Sequence, residues 1–283
     1  MRPARDLLTI LLAPAALAAL SAAPAPAQTA GEILDTAFER HEQRMEGVRT
    51  YRVTQRVLGM TTTNRFVKRT VDGHPVFVQA GRDSVDAGMP RGWGNPYRLF
   101  PRVADRAELE GRATVDGHEA WRIVVDDFQG LDLEAMTPDR AGGQFRPQRL
   151  ELLLGTGDLV LRRLSMQGKM VTDTASTAFA MEAGFHDYRR QEGMLFPFRL
   201  TLRVQGLTAA VPAEELERAQ RQLARVERQL EQLPEGERER ARQSMGPQLE
   251  RLQQLVDGGP VETEVVVTDL RVNEEATGGG PGG

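Results

Sequence analysis

Runs of alternating apolar and polar residues dominate the sequence and predict a β-rich protein. In the clearest run, FPFRLTLRV at positions 196–204, the large apolar residues share one face, while arginines and a threonine occupy the other. Successive strand side chains point to opposite faces, so this run predicts a sheet with one buried and one solvated face, hence antiparallel pairing. Similar runs predict strands at 51–57, 65–71, 75–80, 107–115, 119–125, 148–154, 159–167, 175–188 and 261–272.

One stretch near the start, Gly31–Val48, repeats its apolar residues at helical spacing and predicts an amphipathic helix. His41 lies on the apolar stripe of this helix, and we interpret it as a core histidine rather than a ligand. Met45 stands where a zinc-protease motif would place its second histidine, so HEQRM does not match that motif.

A helical hairpin is predicted near the C-terminus, at Pro212–Gly258. Apolar residues first recur at alternating intervals of three and four, as in a heptad seam. The seam breaks at Pro234–Glu237, and a second helical stretch runs to Val256, with a kink or interruption expected at Gly246–Pro247. Because strand patterns flank the hairpin, we interpret it as an insertion between two neighbouring strands.

The pentapeptide TVDGH occurs at positions 70–74 and again at 114–118. In each copy Asp-Gly stands between two strand-like runs, a pattern typical of two-residue hairpins because a type I′ turn needs positive φ at both central residues. Asp72 and Asp116 then serve backbone geometry, while His74 and His118 begin the outgoing strands at exposed tips. A shared metal site would require the two tips to meet, which nothing in the sequence demands.

The stretch from Asp86 to Val103 is rich in glycine and proline and is predicted as a long loop. Its aromatic residues, Trp93, Tyr97 and Phe100, either cover an opening in the sheet or belong to a plain surface loop. The sequence leaves both alternatives open.

The first 27 residues have the pattern of an export signal. Arg2 and Arg5 precede an apolar run too short to span a bilayer, and APA at 25–27 has the small residues of a cleavage site. We expect cleavage near Ala27 and a mature chain outside the cytoplasm. Residues 28–273 are expected to form one domain, with a disordered glycine-rich tail at 274–283.

Composition narrows the functional classes. The formal net charge is −4 and no basic stripe with interleaved aromatics appears, so nucleic acid is not an expected partner. Cysteine is absent, so the core must stabilise the protein without disulfides or thiolate metal sites. No G-x-S-x-G motif or phosphate-binding glycine loop occurs. We predict no cofactor, no metal and no catalytic residue. The alternative hypothesis of an enzyme depends only on the sparse His and Asp residues as candidate catalytic groups.

Four segments resemble the bacterial periplasmic carriers that sort lipoproteins to the outer membrane, and their lipid-binding relatives. The segments are ILDTAFERHEQRMEGVRTYRVTQRV, ELEGRATVDGHEAWRIVV, RPQRLELLLGTGDLVLRRLSMQG and FHDYRRQEGMLFPFRLTLRV. Together they span much of the region 33–204, and the last is similar to the family's D-Y-x-x-x-x-G-x-x-F-P hairpin. The helical hairpin departs from the simple carriers.

The resemblance implies an α+β fold: a strongly curved antiparallel β-sheet, an incomplete barrel, closed by helices on its concave side. An apolar cavity between sheet and helices would hold acyl chains. The following apolar residues are the expected cavity lining, with a plain core role as the alternative for each: Trp121, Ile123, Leu152, Leu161, Phe179, Phe198 and Leu200.

The function expected from this resemblance is that of a non-enzymatic periplasmic carrier or binder of lipid or lipoprotein acyl chains, with peripheral membrane contact. The alternative is an envelope scaffold or signal sensor that engages a protein partner through the 212–258 hairpin. The same fold serves both tasks in the family, so fold alone does not choose between them.

Overall fold

The computed structural model describes residues 28–71, 74–80, 95–131, 144–172, 176–206 and 213–274. The predicted export signal at 1–27, the turn residues Asp72 and Gly73, Trp93, and the tail from position 275 lie outside the described residues.

Ten strands of the described chain form one open antiparallel sheet. They are β1 Thr50–Val57, β2 Met60–Val71, β3 His74–Gln79, β4 Glu108–Val115, β5 His118–Val125, β6 Gln144–Gly155, β7 Leu161–Val171, β8 Ser176–Gln191, β9 Met194–Gln205 and β10 Val261–Val272. Their order is β3-β2-β1-β10-β9-β8-β7-β6-β5-β4. The edge strands β3 and β4 are not paired with each other, so the barrel is incomplete. The predicted α+β fold is confirmed.

All ten strands were expected from alternation, but several are longer than the pattern indicates. β2 begins at Met60 rather than Arg65, because the polar run MTTTN has no alternation to reveal it. The run nevertheless pairs with β1 along its length, from Met60 opposite Val57 onward. Leu58 and Gly59 join the two strands with φ values of 56° and 79°, which are the positive angles of a type I′ hairpin turn.

The helices are α1 Ala30–Arg44, α2 Phe100–Val103, α3 Ala213–Gln232 and α4 Glu235–Val256, with 3-10 turns at Pro96–Leu99 and Ala104–Arg106. α1 starts at a capping box in which Thr29 and Glu32 satisfy each other's backbone N–H groups. It ends earlier than the predicted Val48, because the Met45 N–H bonds the carbonyls of both His41 and Glu42 and tightens the last turn.

The main core lies between α1, α2 and the strands from β5 to β8. Leu34, Phe100 and Leu152 are fully buried there, and burying each such side chain contributes roughly 1.5–3 kcal/mol. The prediction of a long loop is therefore wrong from Pro96 onward, because short helical turns pack the apolar residues of this segment into the core. A second cluster joins Met45 to β1, β9 and β10.

The α3–α4 hairpin connects β9 to β10, and these strands pair directly, with Val204 opposite Val261. α3 contacts α4, and α4 contacts β10. Of the two alternatives at Gly246–Pro247, the interruption is wrong, since α4 continues through this pair, and the kink stays a prediction. Gly246 has no Cβ to clash with the proline ring, which removes much of the usual restriction on the residue before proline. The division of the chain into signal, domain and insertion stays a prediction.

Candidate functional site

A cleft of about 110 Å³ lies between the C-terminal end of α1 and strands β8 and β9. Most of its wall is apolar: Met45, Phe77, Val160, Phe185, Met194, Leu195, Phe196, Pro197 and Leu200. Its polar side chains lie at the α1 end: His41, Arg44, Asn95, Tyr97 and Tyr188. The cleft is smaller than the apolar cavity of about 150 Å³ that can hold benzene, so as it stands it admits only a short segment of an apolar chain.

An aromatic cluster around Tyr51 forms the apolar wall. The Tyr51 ring lies 4.8 Å from Phe66, 5.0 Å from Phe77 and 6.0 Å from Phe196, measured between centroids. Burial raises the pKa of Tyr51 above its usual value, so its hydroxyl stays neutral. Stacked and tilted rings of this kind make a rigid wall with little side-chain freedom to lose on binding.

His41 lies at the polar end and stacks on Tyr97, with ring centroids 4.1 Å apart and planes 6° apart. Burial, followed by the nearby Arg44 guanidinium, lowers the pKa of His41 from 6.5 to about 4. The imidazole is therefore neutral at neutral pH. The interpretation of His41 as a packed histidine agrees with this contact, although the ring also borders the cleft.

Two tyrosines attach the polar end to the start of β7. The Tyr97 hydroxyl accepts a hydrogen bond from the Leu161 N–H at 2.8 Å, and the Tyr188 hydroxyl donates to the Leu161 carbonyl at 2.6 Å. Burial raises the pKa of both phenols. Both hydroxyls are thus neutral, and they fix the 3-10 turn at Pro96–Leu99 against the sheet.

Arg44 brings positive charge to the same end. Its Nη2 donates to the backbone carbonyl of Asp158 at 2.6 Å. The Asp158 carboxylate pairs instead with Arg162, which is only 8% exposed and lies over the Tyr188 ring at 5.3 Å. The Asp158 carboxylate therefore pairs with Arg162, whereas Arg44 contacts only the backbone carbonyl of the same residue.

The structure places the seven expected lining residues in three settings. Leu200 borders the cleft. Ile123, Leu152, Leu161 and Phe179 are buried in the main core, and Phe198 is buried in the second cluster. Trp121 is half-buried beside a separate small pocket near Arg40 and Thr156. Ligand contact by these seven residues stays a prediction.

Sequence reasoning missed most of the cleft. His41 was noted as part of a helical stripe, and Tyr97 as one of the loop aromatics, but neither pattern shows that they stack. Arg44 and Tyr188 gave no signal of their own, because they meet only through non-local packing onto the turn before β7.

The second TVDGH copy is a hairpin turn, as predicted. Asp116 and Gly117 have φ values of 50° and 77°, and His118 is exposed at the start of β5. Asp116 also contacts His186 in β8, which the pattern did not indicate. In the first copy Val71 pairs with His74, and Asp72 and Gly73 between them lie outside the described residues. Within the described ranges, no group of three or more His, Asp or Glu residues is arranged to hold a metal ion.

Comparison with solved structures gives three similar chains. A DUF1329 family protein from Desulfovibrio piger has a TM-score of 0.35 at 10% identity, covering 85% of this chain and 93% of its own. A putative outer membrane lipoprotein-sorting protein domain from Vibrio parahaemolyticus has a TM-score of 0.36 at 10% identity, covering 85% and 92%. A LolA superfamily protein from Nitrosomonas europaea has a TM-score of 0.33 at 8% identity, covering 88% and 96%.

These are likenesses alone. Two of the three descriptions match the resemblance expected from the sequence, but their scores assign neither a family nor an activity to this chain. No protein-family profile matches the sequence, and no curated protein matches it. Within the described residues, no helix is long and apolar enough to cross a membrane.

Proposed function

We propose that the protein binds lipid or lipoprotein acyl chains in the periplasm and acts as a non-enzymatic carrier. The observation that carries the proposal is the apolar cleft at the end of α1. In the main core between α1 and the sheet, side chains such as Leu34, Leu152 and Leu161 are fully buried. Each methylene of a ligand buried in the cleft would contribute about 0.8 kcal/mol.

The cleft volume of about 110 Å³ admits only part of an acyl chain. A longer chain must therefore displace lining side chains. Met45 and Met194 suit this role, because unbranched thioether side chains repack at low cost. Leu200 and Phe196 are half-buried rather than locked in the core. We propose these four residues as the contacts of the bound chain.

The predicted export signal supports a periplasmic location, and the resemblance stated above supports the ligand class. The similar domain from Vibrio parahaemolyticus is described as a putative outer membrane lipoprotein-sorting protein domain. A TM-score of 0.36 is too low for this similarity to support the proposal, which therefore depends on the cleft.

Native mass spectrometry of protein purified from its own cell envelope without detergent tests the proposal. We expect a mass increment that corresponds to a lipid, and displacement of that lipid by a fluorescent acyl probe. The proposal would be contradicted if the purified protein carried no lipid and bound no probe.

The second candidate function is an envelope scaffold or sensor that acts through the α3–α4 hairpin. Its residues Leu223 and Leu230 are buried and belong to neither of the two large core clusters. Deleting residues 212–258 distinguishes the two functions. A variant that keeps lipid but loses a co-purifying envelope protein favours the scaffold, whereas a variant that loses lipid assigns the hairpin to the carrier.

A further inference from the structure

In the part of the chain that the structure describes, no carboxylate pairs with the positive charge at the polar end of the cleft. Arg44 is half-buried and borders the cleft. Its hydrogen-bond partner is a backbone carbonyl, that of Asp158, rather than a carboxylate. Among the described residues no Asp or Glu forms an ion pair with Arg44, and the neighbouring Asp158 carboxylate is held by the buried Arg162.

A guanidinium in this setting favours an anion. Taking a charge partly out of water is costly unless a partner compensates it. The planar fork of arginine matches carboxylate and phosphate groups, which can accept two parallel hydrogen bonds. His41 and Asn95 add uncharged polar groups at the same rim. Met45 and Leu200 offer apolar surface in the same cleft.

We propose that the cleft binds a single-chain amphiphile whose anionic headgroup, a carboxylate or a phosphate, pairs with Arg44. Its first methylenes then lie against Met45 and Leu200. A single chain fits better than two because the cleft is small, at about 110 Å³. This inference rests on the proposed lipid-binding function and specifies its ligand class. The acyl chains of a lipoprotein N-terminus carry no such anion, so charge preference separates the two sources.

The α1 helix supplies a matched control. Arg40 lies one turn before Arg44 and also donates to a carbonyl of the turn before β7, that of Gly157, at 3.3 Å. It borders the separate pocket near Trp121 rather than the cleft. Arg40→Gln and Arg44→Gln therefore remove the same charge from the same helix, and only Arg44→Gln removes it from the cleft.

The experiment measures dissociation constants for dodecanoate, dodecyl phosphate and the neutral dodecanol by calorimetry, with the two anions below their critical micelle concentrations and dodecanol below its solubility limit. We expect the wild type and Arg40→Gln to bind at least one of the anions about tenfold more tightly than dodecanol. The anion that shows the preference names the headgroup. In Arg44→Gln this preference disappears, while the dodecanol constant stays the same.

Equal affinity for all three amphiphiles in the wild type overturns the inference and leaves the proposed lipid binding intact. A preference that survives Arg44→Gln also overturns it. Inorganic phosphate alone should bind far more weakly than dodecyl phosphate; equal affinity would mean an anion site without a chain, which contradicts the proposal. If dodecanol and both anions all fail to bind, the proposed function itself fails.

Discussion

Asp116 and His186 are hydrogen-bonded although they are 70 positions apart in the sequence. His186 Nδ1 donates to the Asp116 carboxylate, and its Nε2 lies 3.0 Å from Thr201 Oγ1, whose hydroxyl donates to it when the ring is neutral. Thr201 stands between Leu200 and Leu202, which face the core, so this contact lies on the opposite face of the sheet. It attaches the tip of the β4–β5 hairpin to β8 and β9.

Removing the charge of Asp116 tests this attachment without breaking the turn. Asparagine tolerates the positive φ and keeps an acceptor oxygen. The hydrogen bond from His186 lowers the pKa of Asp116, so its stabilising effect is present above about pH 4 and is lost as pH falls through the lower native pKa. In urea titrations at pH 7, we expect the unfolding free energy of Asp116→Asn to be about 1 kcal/mol lower than that of the wild type.

The difference in unfolding free energy between wild type and Asp116→Asn should become smaller as pH falls below about 4. Asp35→Asn, on the exposed face of α1, is the control for removing a carboxylate. A difference that stays constant with pH, or that Asp35→Asn reproduces, would show that Asp116 acts only through the turn.

Gly184 makes room for His186 to reach Thr201. A Cβ at position 184 would lie 2.5 Å from both His186 Nε2 and Thr201 Oγ1. Gly184→Ala should therefore displace the imidazole and destabilise the fold by about 1–3 kcal/mol. Gly157→Ala is the matched control, because nothing lies within 4 Å of its added Cβ. Equal unfolding midpoints for the two variants would contradict this role of Gly184.

The sheet was largely predictable because its signal is local. From Phe198 to Val204 in β9, apolar residues alternate with polar ones, and the structure places Leu200, Leu202 and Val204 against the core. The two-residue turn at Asp116–Gly117 was predictable for the same reason, since the required positive φ selects those residues. The start of β2 was missed, because MTTTN carries no alternation even though it pairs fully with β1.

The site was much less predictable, because alternation gives the face of a residue and not what covers that face. Leu152 and Leu200 both face the main core cluster, yet Leu152 is fully enclosed in it and Leu200 also borders the cleft. The difference arises from where α1 and the turns around Phe100 lie. The contact between Asp116 and His186 is equally invisible in sequence, since it joins two distant segments.

The neutral, stacked state of His41 predicts a pH effect. Its pKa is about 4 in the folded protein against 6.5 ordinarily, so the unfolded chain binds the extra proton between these values. Stability should fall as pH drops from about 6.5 to about 4, by at most about 3 kcal/mol, and no further below that. His41→Phe keeps a ring against Tyr97 and cannot take up a proton.

The difference in unfolding free energy between wild type and His41→Phe, measured by urea titration from pH 7 to pH 4, checks this prediction. The wild type should lose stability relative to the variant over that interval. Parallel stability curves would mean that His41 titrates alike in the folded and unfolded chain.

Two leucines of the expected lining set separate core from ligand contact. Leu152 is fully buried, so Leu152→Ala should cost about 2–5 kcal/mol of unfolding free energy. It should leave acyl-probe affinity of the folded protein unchanged. Leu200 is half-buried at the cleft, so Leu200→Ala should lower the unfolding free energy less than Leu152→Ala does and should weaken binding of the probe. Probe affinity that falls with Leu152→Ala and not with Leu200→Ala would reverse the assignment.

Blocking the cleft tests acyl-chain binding most directly. Leu200→Trp fills it, whereas Leu202→Trp makes the same change two residues along the same strand face, outside the cleft. Titration with a fluorescent acyl probe should give similar affinities for the wild type and Leu202→Trp, and an affinity about tenfold lower or worse for Leu200→Trp. A folded Leu200→Trp variant that binds the probe as tightly as the wild type would contradict the proposal that the cleft holds the chain.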